Sequence, residues 1–168
     1  MNLRPWAAAA VLSLCASSSF AIDSVVTLTG GSGFFGATRA GAFNDNFIFS
    51  FGSASTASSA VSSINLGGLQ DVSFTSVNLT TGAGFTTVVA SFNNVSNGAI
   101  ELRSLTSSPT LTAGVQYAIS VIGTASGGSG SYSGTVNVSP IPEPETYALM
   151  LAGRVAGGFL SRRRSNSR

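Results

Sequence analysis

The chain has no histidine and no lysine, its one cysteine is Cys15, and charged residues make up only 8% of its 168 positions. Each shortage removes a class of chemistry. Without histidine there is no Ser-His-Asp or Cys-His nucleophile pair and no imidazole metal site, and without lysine Schiff-base and Ser-Lys mechanisms are excluded too. Acids are equally scarce: Asp23, Asp45, Asp71 and Glu101 are the only carboxylates in the stretch 22–139. Glycoside hydrolysis would need two of them to meet across a cleft, yet they sit singly in separate segments. No catalytic residue is assigned, and no cofactor is expected. Apart from Arg39 and Arg103, the arginines lie at the two ends, so the body offers no basic stripe and nucleic acid is not expected as a partner. Against these shortages stand twenty glycines, eleven phenylalanines and 43% apolar residues, a composition that can build a core and does not resemble disorder.

The two ends read as addresses. Residues 1–21 have the pattern of a secretory signal peptide: Arg4 at the start, an apolar stretch from Trp6 to Leu14, and Ser19-Phe20-Ala21 as a small-x-small site cleaved after Ala21. Leu14 stands before Cys15 where a lipoprotein acceptor would have a small residue, so ordinary cleavage is expected, leaving a mature chain with no cysteine. An exported body with neither disulfides nor thiolate ligands must be held by core burial and sheet hydrogen bonds.

At the other end, residues 140–168 begin with Pro140-Ile141-Pro142-Glu143-Pro144-Glu145, whose alternate prolines favour a stiff extended strip. A mostly apolar segment runs from Tyr147 through Leu149, Leu151 and Val155 to Phe159 and Leu160, and then come Arg162, Arg163 and Arg164, which would stay cytoplasmic. A helix over these fourteen residues would be about 21 Å long against about 30 Å of hydrocarbon, and Arg154 sits near its middle, so transient insertion fits better than permanent anchoring. A terminal helix docked on the body is the alternative. Pro142-Glu143-Pro144, the apolar segment and the arginine cluster together resemble the PEP-CTERM sorting signal. That resemblance implies recognition of the strip by an exosortase-type membrane enzyme of a Gram-negative bacterium. It also implies export, brief residence in the inner membrane, and passage to the cell surface or extracellular polymer.

The body, 22–139, shows no helical period, while Val, Ile, Thr and Phe recur in short runs divided by Gly, Ser and Asn. The spacing predicts an all-β domain, a single antiparallel β-sandwich of jelly-roll type with about eight strands at 25–29, 47–51, 61–66, 70–79, 85–92, 99–105, 115–123 and 132–138. The alternation breaks parity between Phe74 and Val77, which predicts a bulge. The last two strands flank Ala125-Ser126-Gly127-Gly128-Ser129-Gly130 and read as a hairpin with a mobile tip.

Two motifs stand out. Gly31-Ser32-Gly33-Phe34-Phe35-Gly36 satisfies G-x-G-x-x-G, but no helix pattern comes after it, so a glycine-rich β-loop is expected rather than a dinucleotide site. Phe43-Asn44-Asp45-Asn46-Phe47-Ile48-Phe49 places Phe43, Asp45, Phe47 and Phe49 on one face of an extended strand. Asp45 on that face must be paired. Either a turn at Asn44 to Asn46 resets the register and lets Asp45 cap backbone N–H groups, or Asp45 meets Arg39 or Arg103 at the sheet edge; a calcium site using Asp45 with Asn44 and Asn46 is a third possibility. The string resembles a group of small secreted PEP-CTERM proteins named for F-x-D-x-F, which carries no chemistry to transfer and implies a structural role for these residues.

The functional expectation is a non-enzymatic exported protein, delivered as a structural or interaction component of exopolysaccharide, biofilm or floc material. The alternative is a carbohydrate- or calcium-binding module, for which Tyr117 and Tyr132 are the candidate exposed aromatics.

Overall fold

The computed structural model describes residues 20–64, 70–142 and 144–165. Among these residues nine strands form one mixed sheet: β1 (Phe20–Val25), β2 (Ser32–Phe49), β3 (Ser55–Ile64), β4 (Asp71–Thr81), β5 (Thr87–Ser91), β6 (Asn93–Asn97), β7 (Ile100–Ser104), β8 (Thr110–Leu111) and β9 (Tyr117–Pro140). One α-helix among these residues, α1 (Pro144–Ser165), follows β9.

Two long strands organise the sheet. β2 and β9 pair antiparallel along their whole length, Ser32 opposite Asn137 and Phe49 opposite Tyr117. At the centre the register slips: Arg39 faces Gly130 and Gly41 faces Ala125, so four residues of β9 lie opposite Ala40 alone. Gly41 has φ 71°, a left-handed conformation that suits glycine, and Gly127 and Gly128 absorb the same irregularity on β9. Here β2 doubles back. Phe35 and Phe47 belong to the same strand, yet their ring centroids are 4.7 Å apart, so the inward faces of its two arms meet.

The remaining strands divide between the arms. β3 pairs with the C-terminal part of β9 and carries β7, β6 and the short β8. β4 pairs with the N-terminal part of β9 and carries β5, while β1 lies parallel to the second arm of β2. That parallel pair corrects the expectation of a wholly antiparallel sheet. It arises because β1 reaches the far arm of a doubled strand; the intervening turn at Gly30-Gly31, closed by the Thr29–Ser32 bridge, leads only into the near arm.

Other expectations are corrected by the same doubling. The predicted hairpin at 115–138 is instead the single strand β9, which bends with β2 at Gly127 and Gly128, so that its two halves pair with the arms of β2 rather than with each other. No turn interrupts Asn44 to Asn46, which run through β2 in register with β1 and β9. Residues 93–97, taken from sequence as a connection, form β6. The bulge foreseen between Phe74 and Val77 is present, as a register shift between Phe74 and Ser76.

Phe35, Phe43, Phe47, Phe49, Val61, Phe74, Leu79, Ile119, Tyr132 and Val136 are among the buried residues packed between the arms. Gly134 lets this happen: the Phe35 ring lies where its side chain would be, with Ala60 O at 2.7 Å on the same spot. α1 is longer than the fourteen residues expected, and its apolar side chains Tyr147, Leu149, Met150, Leu151 and Val155 are exposed rather than docked. Among the described residues no helix is long and apolar enough to cross a membrane, so a transmembrane helix, the stronger form of the tail expectation, is not met. Arg154 at mid-helix and the arginines of its last turn shorten the apolar stretch.

Phe47→Ala removes a ring that touches both arms and is expected to lower stability by about 3–5 kcal/mol, read from the denaturant midpoint of the folded chain. An unchanged midpoint would take Phe47 out of the core.

Candidate functional site

Of the F-x-D-x-F residues, Phe43, Phe47 and Phe49 are buried, and Asp45 between them has no exposed surface at all. Its charge is matched by Arg39, across the Gly41 bend on the same strand. The Nε of Arg39 donates to both carboxylate oxygens at 3.0 and 2.9 Å, and a terminal guanidinium nitrogen donates to Oδ1 at 2.9 Å. A buried carboxylate held by a guanidinium fork is among the stronger polar arrangements available to a protein. Tyr132, on β9, donates its hydroxyl to Oδ2 of Asp45 in a short bond, and its ring stacks on Phe43 at 5.3 Å.

This cluster selects between the sequence alternatives. Asp45 meets Arg39, but inside the core rather than at an edge, since β2 lies between β1 and β9. With a guanidinium and a phenol on its oxygens, it turns inward and is not placed to take calcium with Asn44 and Asn46. Asn46 instead donates to Asp23 of β1 at 2.9 Å. Sequence parity pointed to a buried Asp45 that needed a partner; the third member, Tyr132, was missed because its contact spans 87 positions and depends on the doubled strand. Burial, and then the hydrogen bond and charge of Asp45, push the Tyr132 phenol well above its ordinary value, against a smaller opposing effect of Arg39.

A second polar cluster closes an exposed edge. Glu101 and Arg103 of β7 pair at 2.7 Å, and together they reach the backbone of Phe74: its N–H donates to Glu101 Oε2 at 3.2 Å, and Arg103 donates to its carbonyl at 3.1 Å. The two side chains thus satisfy β4 beside its bulge, where β5 has not yet begun to pair. Asp71, Ser73, Asn97, Glu101 and Arg103 line a polar groove of about 340 Å³ there. Two of the four body carboxylates therefore share a groove, and Arg103 pairs with one of them, Glu101. Among the described residues no group of three or more acidic or cysteine side chains comes together as a metal site would require.

Both aromatics named for a carbohydrate platform are buried: Tyr117 accepts the Thr112 N–H at 3.0 Å, and Tyr132 is committed to Asp45. An exposed ring of the sheet is Phe34, at 80%, inside the glycine-rich motif. Of the sorting residues, Pro142 is exposed, Glu143 lies outside the described residues, and Pro144 opens α1. Phe159, Leu160, Arg162, Arg163 and Arg164 fall within α1. Ala21 lies in β1 opposite Asn44, so cleavage after it would leave Ile22 to Val25 paired with Asp45 to Ile48. Residues 1–19 of the predicted signal peptide lie outside the described residues.

No family model matches the chain, and no curated protein matches it. Two solved structures are similar in shape at low identity. One is the periplasmic inhibitor of g-type lysozyme, PliG, from Aeromonas hydrophila, 11% identical over 73% of this chain and 100% of that one, with a TM-score of 0.41. The other is the pre-peptidase C-terminal domain of a collagenase from Bacillus anthracis, 14% identical over 71% of this chain and 96% of that one, with a TM-score of 0.37.

Removing one member of the cluster strands the others. Asp45→Ala is expected to cost about 3–5 kcal/mol by leaving the Arg39 guanidinium buried beside an apolar gap, and Tyr132→Phe about 1–3 kcal/mol through the lost hydrogen bond. The Tyr132 phenol keeps its proton to higher pH when folded than when unfolded, so its contribution is complete below pH 10.0, the ordinary value, and declines as pH rises beyond it. Denaturant melts across the alkaline range should therefore show a shallower loss of stability for Tyr132→Phe than for the parent; parallel slopes would refute the coupling.

Proposed function

We propose that the chain is an exported, non-enzymatic protein that reaches the cell surface or extracellular polymer as a structural or interaction component. In this reading it is a substrate of an exosortase-type enzyme, and its tail holds it briefly at the inner membrane before processing. The body serves as an independent β-sandwich, its two layers built on the arms of β2 and β9.

The observation that carries this reading is the break between body and tail. β9 ends at Pro140 opposite Ser55, and Ile141 adds one last backbone bond, to Ala54 O at 2.9 Å. Beyond that point Pro142 is exposed, and α1 presents apolar residues at consecutive positions from Tyr147 to Met150 and on through Val155, all outside the core. α1 leaves these apolar side chains uncovered by the sheet, where they can meet lipid. Its length and Arg154 favour shallow, short-lived insertion. Processing within the strip would leave every strand of the body intact. A carbohydrate module is less well supported, since Tyr117 and Tyr132 are buried.

Glu143→Ala in the native host is expected to leave the body folded and the precursor uncleaved in the membrane fraction, scored by intact mass of membrane and released pools. Equal release of variant and parent would sink the sorting role.

A further inference from the structure

The side of the sheet remote from β1 is made by one run of chain, residues 87–97. β5 pairs with β4 and β6 with β7. Phe92 joins them, its side chain buried and its N–H bonded to Val77 O at 2.9 Å. Among the described residues no strand pairs with the other edge of β5 or β6. Such an edge is a row of free N–H and C=O groups that can template another strand, and soluble proteins ordinarily block it with charge or proline. Neither occurs anywhere between Asp71 and Glu101.

What the edge does have is two bulges. The ladder from β4 steps from Ala90 to Val88, passing over Val89, and the ladder from β7 steps from Asn94 to Ser96, passing over Val95. Both valines are exposed, at 36% and 56%. Val89 and Val95 stand three positions before and after Phe92, so the edge is symmetric about that residue. A bulged edge is out of step with a regular incoming strand, which is why bulges deter pairing. A second copy, turned about a two-fold axis through Phe92, is the partner that stays in step. Val89 of each copy then lies opposite Val95 of the other, Ala90 opposite Asn94, and Ser91 opposite Asn93. With no charge on either edge, nothing repels the pairing and nothing selects a charged peptide in its place.

We propose that residues 87–97 form a self-association surface, joining two copies antiparallel about an axis at Phe92 into a closed dimer whose sheet continues from one chain to the other. The surface uses neither the tail nor the Asp45 cluster, so it stands apart from the sorting proposal.

The test is disulfide trapping in the full-length chain carrying Cys15→Ser. Directly opposed residues of antiparallel strands bring their Cβ atoms within bridging range. Val89→Cys combined with Val95→Cys is expected to give a reductant-sensitive dimer on mild oxidation, and Ser91→Cys combined with Asn93→Cys the same. Each cysteine alone should give no disulfide-linked dimer, because no residue except Phe92 faces its own copy. Val89→Lys with Val95→Lys, both at exposed positions, should leave a folded chain that melts cooperatively while halving the mass seen by sedimentation. Absence of a dimer in both double-cysteine variants, or single variants that cross-link as readily as the doubles, would overturn the proposal.

Discussion

The two arms of β2 can face one another only if the side chains flanking the bend are chemically matched, and Arg39 and Asp45 are that match. Gly41 permits the reversal but does not specify it, since a side chain at its position would meet no neighbouring atom. The ion pair does specify it. Sliding one arm by two residues would keep the apolar alternation of the strand yet bury Asp45 without a guanidinium, and an unpaired buried carboxylate is far costlier than an imperfectly packed ring. Tyr132 extends the same selection to β9, so one carboxylate reads the register of both long strands. The phenylalanines on either side of Asp45 supply most of the burial; the carboxylate decides which arrangement they adopt.

Much of the local structure was legible in the sequence. The parity of Phe43, Asp45, Phe47 and Phe49 indicated their burial, and the broken alternation after Phe74 located the bulge in β4. What escaped were features that glycine leaves ambiguous. Gly127 and Gly128 can reverse a chain or kink it, and local composition does not distinguish the two; the difference lies in β2, which pairs with β9 on both sides of the kink. The same ambiguity hid the length of β2, whose first arm contains Gly33 and Gly36 and reads as a loop. β6 was missed for a related reason: Asn-Asn-Val-Ser-Asn has turn composition, and only its pairing with β7 draws it into a strand.

The Glu101–Arg103 pair shows how a sheet with few charges deploys them. Two of the six charged side chains in 22–139 hydrogen-bond the backbone of Phe74 beside a bulge, and two more form the core ion pair. Hardly any charge remains for the outer faces, which are covered by serine, threonine and asparagine. Such a surface interacts with neighbours through hydrogen bonds and shape rather than through long-range fields, so its associations should depend little on ionic strength.

The placement of β9 has a consequence for the order of events in the cell. It is the last strand in the chain, yet it pairs with β2, β3 and β4, so the sheet has no centre until residue 140 has been made. Everything synthesised earlier lacks the partner that would close it, and the contacts that finish the fold span most of the body's length. A chain built this way stays open while it is being translated and acquires its structure late and slowly. That is the condition a polypeptide needs if it must be threaded through a membrane before it folds.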